Sequence, residues 1–346
     1  MTQLFRRWGI GVPRLDEVRS WHRRAVLNPF RDWAGFGVRD PSVLVSEAGE
    51  FVYGRDGYVM FFNARDRPLS EGGATVVGRA TSPDGEQWTP HPDPVLVDGM
   101  YAAQGSAVAL ESGEIVMPYS PDTLAGFRLA FAPNPYTVFE PDGGLILTPD
   151  DVGCHRIGLP FIWREGGDWR LVFEAIRPGG RFVILGAESS DLRSWTVDPR
   201  PRLGPPDGAW DGYGQANPSV HSMNGRRLML YNGSSKVAQW DVGVATERNG
   251  QWHGSSKPVL ARTRHESWSA QRLEGARPGP NSGRRPELLY FGTPGRDSYE
   301  GATIGLATAS GLRLLQTSSL FRAPINESPA GMQSGRNPNA KFRIHD

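Results

Sequence analysis

The sequence predicts an all-β protein, a five-bladed β-propeller with four-stranded antiparallel blades around a central funnel. Three observations lead to this fold class. A start motif occurs twice, as WAGFGVRDPSV at 33–43 and as WDGYGQANPSV at 210–220. Short apolar runs separated by glycine-rich turns recur along the chain, which is typical of propeller blades. Helical periodicity is nearly absent, apart from a short stretch near 15–24.

The repeat predicts the strands of each blade. The second strand is a short apolar run that ends in a polar or small residue, and the third is rich in small residues. Second strands are expected at 58–64, 114–120, 169–175, 227–233 and 287–293, and third strands at 74–82, 127–133, 182–190, 240–247 and 302–310. Asp40 and Asn217 lie three repeats apart, at about 59 residues per repeat, which suits four short strands. A β-sandwich, or a tandem of small β domains, is the alternative.

The repeats also predict the domain boundaries. The propeller is expected to span 33–322. Residues 1–32 form an N-terminal extension that could close the ring by adding an edge strand at 25–28. Residues 323–346 have few apolar side chains and are expected to form a flexible C-terminal tail.

The composition excludes several classes of protein. Lysine and arginine total 38 and aspartate and glutamate total 37, so no overall charge attracts nucleic acid or an anionic membrane. Cys154 is the only cysteine, which excludes an internal disulfide and suits the reducing cytoplasm. Residues 1–20 lack the apolar centre of a signal peptide, and no apolar run is long enough for a membrane helix. A cytoplasmic protein without nucleic-acid or membrane partners is expected.

Propeller geometry predicts where a site would lie. The start of each first strand and the end of each second strand meet at one rim of the funnel. The acidic residues predicted at this rim are Asp40, Glu174 and Glu274. Carboxylates, amides and guanidinium groups together satisfy the hydroxyls of a neutral sugar. The further residues expected to bind substrate are Arg39, Asn63, Gln104, His155, Arg156, Trp210, Gln215, Asn217 and Asn232.

The predicted rim residues also have structural interpretations. An aspartate before proline commonly caps a turn, but Asn217 stands at the position equivalent to Asp40, so the turn itself does not require a carboxylate. Glu174 ends an apolar strand and could face water, and Glu274 could pair with neighbouring arginines. Trp210 could pack between blades instead of stacking on a sugar.

The start motif, and the Ala-x-Ser-x-Asp-x-x-x-Trp runs at 80–88 and 187–195, resemble those of the five-bladed propeller glycoside hydrolases. That group comprises families 43, 32, 62, 68, 117 and 130, with arabinanases, xylosidases, fructosidases and mannoside phosphorylases. The resemblance covers nearly the whole repeat region and implies their fold. Family 43 enzymes carry an Asp base on blade 1, a second Asp on blade 2 and a Glu acid on blade 3.

The resemblance implies roles for individual residues. Asp40 matches the base by position, whereas blade 2 begins with Gln104 in place of an Asp. The acid is either Glu174, on blade 3, or Glu274, whose Glu-Gly-Ala start on blade 5 is similar to the Glu-Gly-Pro around the family's acid.

The implied function is a glycoside hydrolase, or a glycosyl-transferring relative, that cleaves a furanoside or a small oligosaccharide. One carboxylic acid would protonate the leaving oxygen while a carboxylate activates water or attacks the sugar. A non-catalytic carbohydrate-binding propeller and a lyase or cyclase on the same fold are the alternatives. No metal or cofactor is expected, because the 7 histidines show no ligand spacing and no calcium loop or phosphate-binding glycine loop occurs.

Overall fold

The described part of the chain consists of β-strands and short turns. The computed structural model describes residues 15–18, 20–122, 126–203, 209–223, 226–236, 239–263, 265–281, 285–295 and 297–310. Short 3-10 helices occur at Leu15–Glu17, Leu69–Glu71, Asp150–Val152 and Ser267–Ser269. Within these ranges there is no α-helix, and no helix long and apolar enough to cross a membrane.

The strands follow one another as antiparallel meanders, which are numbered here in chain order. An N-terminal strand, β1 (Ser20–Leu27), precedes them. The first meander holds β2 (Gly37–Val43), β3 (Val45–Ser46), β4 (Tyr53–Gly54), β5 (Gly57–Arg65), β6 (Thr75–Ser82) and β7 (Thr89–Pro90). The second holds β8 (Ala103–Gln104), β9 (Val108–Ala109), β10 (Ile115–Ser120), β11 (Phe127–Ala132) and β12 (Glu140–Leu147).

The remaining meanders are more regular. The third holds β13 (Arg156–Glu165), β14 (Asp168–Ile176), β15 (Phe182–Ser189) and β16 (Thr196–Leu203). The fourth holds β17 (Gly214–Met223), β18 (Arg226–Ser234), β19 (Trp240–Arg248) and β20 (Gln251–Gly254). The fifth holds β21 (Arg272–Pro278), β22 (Glu287–Thr293) and β23 (Thr303–Ser310). The long strands of each meander pair antiparallel, while the short strand β3 of the first meander pairs parallel with β9 of the second. The pairing confirms the predicted all-β class with antiparallel sheets.

The N-terminal strand completes the sheet of the last meander. Strand β1 pairs antiparallel with β23, and Ser20 lies opposite Ser310. The expected edge strand at 25–28 is therefore longer than predicted and begins earlier. The expected helical stretch near 15–24 is wrong, because the described part of it holds a 3-10 turn at Leu15–Glu17 and the first residues of β1. The predicted tail at 323–346 lies outside the described residues.

Hydrophobic clusters lie between consecutive meanders and form the core. Val59 and Met117 belong to a cluster of the first and second meanders. Equivalent clusters join the second to the third, the third to the fourth and the fourth to the fifth. A further cluster, with Phe62 and Phe291, joins the first meander to the fifth. Burial of these faces holds each sheet against the sheets before and after it.

A β-bulge interrupts the first strand of the first, third, fourth and fifth meanders. The register with the second strand shifts at the same place in each case. The bulge residue has a left-handed backbone, with φ of 53° at Asp40, 51° at Leu159, 50° at Asn217 and 64° at Gly275. Aspartate, asparagine and glycine tolerate this region far better than leucine does. The fold therefore requires a left-handed residue at the position of Asp40, but it does not require a carboxylate.

A tryptophan stack recurs in three meanders. The tryptophan precedes the first strand and lies over a ring of the second strand and a glycine of the third. Ring centroids are 6.3, 5.8 and 5.5 Å apart in the three copies. A Cβ on the glycine would lie within 2.8 Å of the tryptophan ring in every copy. The sets are Trp33 with Phe62 and Gly78, Trp210 with Tyr231 and Gly243, and Trp268 with Tyr290 and Gly305.

Gly243→Ala tests this packing. The new Cβ would lie 2.5 Å from Cζ of Tyr231 and 2.8 Å from the Trp210 ring, and both rings are held by their neighbours. We expect a loss of about 1–3 kcal/mol in the free energy of unfolding, measured by urea denaturation. Gly144→Ala is the matched control, because a Cβ there meets no atom within 4 Å. Equal stability of the two variants would contradict a structural role for the stack.

Candidate active site

A cavity of about 410 Å³ contains all three carboxylates that the sequence placed at the funnel rim. Asp40 comes from β2, Glu174 from β14 and Glu274 from β21, so three meanders contribute one acidic group each. Arginines and aromatic rings form much of the remaining wall. These are Arg39, Arg65, Arg156, Arg272, Tyr101, Phe182, Trp240 and Tyr299, with Asp122 and Asp297 as further acids.

Asp40 is 2% exposed and is surrounded by hydrogen-bond donors. Arg39 Nε donates to Oδ2 at 2.7 Å, and Asn63 Nδ2 donates to the same oxygen at 2.9 Å. Asn217 Nδ2 donates to Oδ1 at 3.2 Å. An ionised carboxylate only accepts hydrogen bonds, so these donors match the charged form. Side chains of three strands therefore hold the Asp40 carboxylate in one orientation.

Arg39 is the charged partner of Asp40 and is itself held in place. Its guanidinium lies 4.6 Å from the ring centre of Phe291 and 4.8 Å from that of Tyr299. Its Nη1 donates to Oγ of Ser298 at 2.7 Å. Burial is the largest influence and by itself lowers the pKa of Arg39, but the charges of Asp40, Tyr299 and Glu274 and the hydrogen bond to Asp40 together outweigh it and raise the pKa above its usual value. Arg39 thus remains a cation beside Asp40.

Glu174 is a buried acid of the cavity, with 7% exposure. Its Oε2 accepts the backbone N–H of Asn217 at 3.3 Å, and its Oε1 lies 3.9 Å from Nη2 of Arg156. Burial raises the pKa of Glu174 above its ordinary value, although Arg156 and Arg39 act in the opposite direction. A buried carboxylic acid with a raised pKa is the usual form of a general acid in glycoside hydrolysis.

Glu274 is a second buried acid in the same cavity, with 8% exposure. Its Oε1 has no hydrogen-bond partner among the described residues and lies 3.6 Å from Nη1 of Arg272. Burial raises the pKa of Glu274, and the charges of Asp40 and Glu174 add to the rise, while Arg39 and Arg272 oppose it. The cavity therefore holds two buried glutamates with a raised pKa in addition to Asp40.

Each of the three buried carboxylates, Asp40, Glu174 and Glu274, lies next to an arginine of a first strand. This arrangement balances charge that burial would otherwise make costly. Among the described residues, no group of three His, Cys, Asp or Glu side chains could hold a metal ion. The pairs are Asp40 with Arg39 at 2.7 Å, Glu174 with Arg156 at 3.9 Å, and Glu274 with Arg272 at 3.6 Å.

Asn63 and Asn232 lie behind the cavity wall instead of lining it, and both are fully buried. Asn63 Oδ1 accepts the backbone N–H of Gln104 at 2.9 Å, and Asn232 Oδ1 accepts that of Gly275 at 2.9 Å. Each amide thus links its meander to the next one. Glu174 stands at the equivalent position of the third meander and accepts the corresponding bond from the fourth. The predicted contact of these asparagines with substrate is replaced by contacts between strands.

Three other predicted ligands, Gln104, Gln215 and Asn217, are also buried behind the lining. Gln104 Nε2 donates to the backbone oxygen of Asp40 at 2.9 Å. Gln215 Nε2 donates to Oδ2 of Asp211 at 2.7 Å, which lies outside the lining. Gln104 and Asn217 therefore support Asp40, while Gln215 supports a neighbouring part of the fold.

Of the remaining residues predicted to bind substrate, Trp210 and His155 lie outside the cavity lining, and Arg39 and Arg156 lie in it. Trp210 belongs to the tryptophan stack, and its Nε1 donates to the backbone oxygen of Ser255 at 2.9 Å. His155 is exposed and does not line the cavity. Arg39 and Arg156 do line it, as expected. A residue next to a strand start can face either side of the strand, which the sequence does not distinguish.

Phe182 and Trp240 line the cavity and were missed by the sequence analysis. Their rings are 5.4 Å apart and meet edge to face. Each begins the third strand of its meander, so the two occupy equivalent positions of the repeat. Comparing third-strand starts, as well as first-strand starts, would have found both. They add apolar ring surface to the cavity wall.

Comparison with known proteins gives one partial sequence match and many structural ones. No protein-family model matches the chain. Sucrose-6-phosphate hydrolase of Escherichia coli is 28% identical over 180 residues, which cover 47% of this chain and 36% of that protein. The match thus spans about a third of the relative's length.

Solved structures match over most of the chain. β-1,2-Mannobiose phosphorylase of Listeria innocua, in complex with β-1,2-mannobiose, is 14% identical, with a TM-score of 0.62, and covers 83% of this chain and 96% of that one. A glycosyl hydrolase of Bacteroides ovatus is 14% identical, with a TM-score of 0.59, and covers 84% and 93%. The chain shares the fold of these enzymes. The resemblance to glycoside hydrolases that the sequence indicated is confirmed at this level.

A third solved structure adds to this result. It comes from family 130, whose mannoside phosphorylases include glycoside hydrolases that target β-1,2-mannosidic linkages in Candida mannan. It is 14% identical, with a TM-score of 0.60, and covers 84% of this chain and 94% of that one. A sequence identity of 14% supports a shared fold but not a shared reaction. The chemistry therefore depends on the residues of the cavity.

Gly158→Ala tests whether the position of Glu174 matters. A Cβ at Gly158 would lie 2.9 Å from Oε1 of Glu174, so the carboxyl group would have to move. The backbone accepts a Cβ at this point, because Ala216 occupies the equivalent position in the fourth meander. We expect kcat to fall on the order of 10- to 100-fold with little change in melting temperature. Full activity would contradict a role for Glu174, and Gly144→Ala serves as the control.

Proposed function

We propose that the protein is a glycoside hydrolase, or a glycosyl-transferring relative, that cleaves a furanoside or a small oligosaccharide in this cavity. The observation that carries the proposal is the meeting of Asp40, Glu174 and Glu274 at one cavity. One of these carboxylates is held by donors alone, and the other two have a raised pKa. Two carboxyl groups in different protonation states are what cleavage of a glycosidic bond requires.

Asp40 is the proposed base or nucleophile. The donors from Arg39, Asn63 and Asn217 satisfy its charged form, and they leave the group facing the cavity. In an inverting enzyme Asp40 would take a proton from the attacking water. In a retaining enzyme it would form a bond to the anomeric carbon, which water later breaks.

Glu174 or Glu274 is the proposed acid. The acid must be protonated when substrate binds, so that its proton can pass to the departing glycosidic oxygen. Burial raises the pKa of both groups, which extends the protonated form toward neutral pH. The rate should therefore fall as pH rises through the pKa of the acid, and this loss gives the alkaline limb of the pH profile.

The substrate proposed for this cavity is a small carbohydrate. A volume of about 410 Å³ lies in the usual range for sites that bind small molecules. Phe182 and Trp240 offer apolar ring surface, while arginine and carboxylate groups offer donors and acceptors for hydroxyls. This mixture suits a neutral sugar better than a wholly apolar ligand.

The proposal includes a ring of five blades over 33–322, with one meander as each blade. Its support is the order of the hydrophobic clusters, which join each meander to the next and the fifth back to the first. In this arrangement β1 closes the ring as the outer strand of the last blade. Strands of different blades then meet around the cavity, as the mechanism needs.

A cytoplasmic location is part of the same proposal. Cys154 is the only cysteine in the sequence, and it is buried. Burial raises the pKa of its thiol, which favours the unreactive protonated form. With a single cysteine, this sequence cannot form an internal disulfide. Fractionation of the native host would test the location.

The decisive experiment is a turnover assay with a panel of aryl glycosides, furanosides, fructosides and β-1,2-linked mannosides. Each would be measured with and without inorganic phosphate, to separate hydrolysis from phosphorolysis. We expect turnover of at least one sugar, and its loss in Asp40→Asn. Sugar binding without turnover would favour the carbohydrate-binding alternative. Turnover of a non-sugar metabolite alone would favour a lyase or cyclase.

A further inference from the structure

Arg277 is a buried cation close to the cavity but outside its lining. The proposed mechanism does not use it. It lies on β21, is 3% exposed and is absent from the cavity lining. Its Nη1 donates to the backbone oxygen of Ala276 at 3.0 Å, and its Nη2 donates to that of Gly105 at 3.2 Å. Its hydrogen bonds among the described residues go to amide oxygens and not to a carboxylate, and its Nε has no hydrogen-bond partner there. Such a buried charge is costly, so its retention needs a reason.

The guanidinium of Arg277 remains charged. Burial lowers its pKa to about 10, while the charge of Asp40 acts in the opposite direction. The group is therefore protonated at neutral pH and can only donate hydrogen bonds.

Arg277 sets the orientation of the Asn217 side chain. Its Nη2 donates to Oδ1 of Asn217 at 3.3 Å. An arginine cannot accept a hydrogen bond, so the amide must turn its oxygen to Arg277 and its nitrogen away. That nitrogen is the group that donates to Oδ1 of Asp40 at 3.2 Å. The backbone N–H of Asn217 meanwhile donates to Glu174, so one residue contacts both carboxylates.

The repeat indicates that the fold does not need arginine at this position. The residue that follows each bulge and resumes pairing is Ser42 in the first meander, Phe161 in the third and Ser219 in the fourth. Arg277 is the charged member of this set. The strand pairing therefore forms with a serine or an aromatic residue at this position. The guanidinium must serve a purpose other than strand formation, and its neighbour Asn217 contacts Asp40.

We propose that Arg277 is a positioning residue, which locks the Asn217 amide so that its amino group faces Asp40. The inference rests on the proposed function for its catalytic consequence, but not for its geometry. Asn63, the other amide donor to Asp40, is locked from behind in the same way by the backbone N–H of Gln104. Asp40 is thus held by two amides, each with its oxygen engaged elsewhere.

The test is Arg277→Met, compared with Arg277→Lys and studied by crystallography and kinetics. We expect the Asn217 amide of Arg277→Met to leave Asp40, with Nδ2 beyond 3.5 Å of Oδ1. We expect kcat to fall on the order of 10- to 100-fold, with KM changed by less than about threefold. Arg277→Lys keeps a donor and should recover part of kcat. Because Asn217 carries the effect, adding Asn217→Ala to Arg277→Met should cost little more.

The control is Arg79→Met. Arg79 is also a buried arginine and donates to a backbone oxygen, that of Pro135 at 3.1 Å, but it does not line the cavity. The Arg79→Met variant should have a lower free energy of unfolding than wild type and an unchanged kcat.

The outcomes separate the two proposals. If Arg277→Met leaves the Asn217 amide on Asp40, the positioning inference is overturned, whatever the activity. If the amide leaves Asp40 but the wild-type protein cleaves no glycoside, the positioning stands and the proposed function falls. If Arg277→Met does not fold, Arg277→Lys and Asn217→Ala decide the matter, since equal kcat to wild type in both would overturn the inference.

Discussion

Replacing Asp40 with asparagine is expected to lower kcat/KM by roughly 10²- to 10⁴-fold while the protein stays folded. The Asp40 carboxylate acts as the base or as the nucleophile. The amide of asparagine can neither take up the proton nor attack the sugar. The backbone should not change, because Asn217 adopts the same left-handed conformation at the equivalent position, with φ of 50° against 53° for Asp40. The measurement is steady-state kinetics on the best substrate of the panel, with a thermal melt of both proteins.

Asp211→Asn is the matched control for this result. Asp211 is equally buried, at 3%, and accepts hydrogen bonds from Gln215 and Tyr231. It does not line the cavity, so its loss should reduce stability and spare kcat. If Asp40→Asn kept wild-type activity, Asp40 would be a structural bulge residue only, and the two-carboxylate mechanism would fall with it.

With Glu174 as the acid, Glu174→Gln is expected to abolish the alkaline limb of the pH profile and to lower kcat by roughly 10²- to 10⁴-fold for substrates with poor leaving groups. Glutamine keeps an oxygen that can accept the N–H of Asn217, but it cannot donate a proton. A dinitrophenyl glycoside needs no protonation of its leaving group, so its turnover should fall far less. The measurement is the ratio of kcat between dinitrophenyl and alkyl glycosides, across pH, in wild type and variant.

Glu274→Gln decides between the two candidate acids. The acid is the glutamate whose substitution removes activity on alkyl glycosides and spares dinitrophenyl glycosides. The other substitution should affect both substrates alike, through binding or through the charge near Asp40. If neither variant discriminates between leaving groups, general acid catalysis by the cavity glutamates is contradicted.

The repeat in the sequence predicted much of the fold because it reports local structure. Asp40, Leu159 and Asn217 each precede a proline, and all three are left-handed bulge residues in the structure. Alignment of these residue–proline pairs located the first strands. The apolar runs that follow them located the second strands. Alternation of apolar and polar residues along a strand is a local property, so it can be recognised without the tertiary fold.

The site was only partly predictable. Asp40, Glu174 and Glu274 line the cavity as expected. The repeat locates the strand ends in the sequence, and the geometry of the fold places those ends at one rim. Asn63 and Asn232 do not, because each amide turns to the backbone of the next meander. Whether a rim side chain faces the cavity or the neighbouring sheet depends on how two sheets meet, which no single repeat records.

Long-range contacts were beyond the sequence for the same reason. Arg277 reaches the oxygen of Gly105, 172 residues away, and the amide of Asn217, 60 residues away. Phe182 and Trp240 meet at the cavity although 57 residues of other structure separate their places in the chain. Such neighbours are set by the packing of meanders against one another.

The sequence by itself determined the antiparallel strands and the three carboxylates at strand ends, because apolar periodicity and turn residues act over a few residues. Only the tertiary structure decided which side chains meet at the cavity, which amides support Asp40 from behind, and which acids have a pKa raised by burial. Burial and hydrogen bonding between distant strands depend on the closeness of whole sheets, and that closeness exists only once the chain has folded.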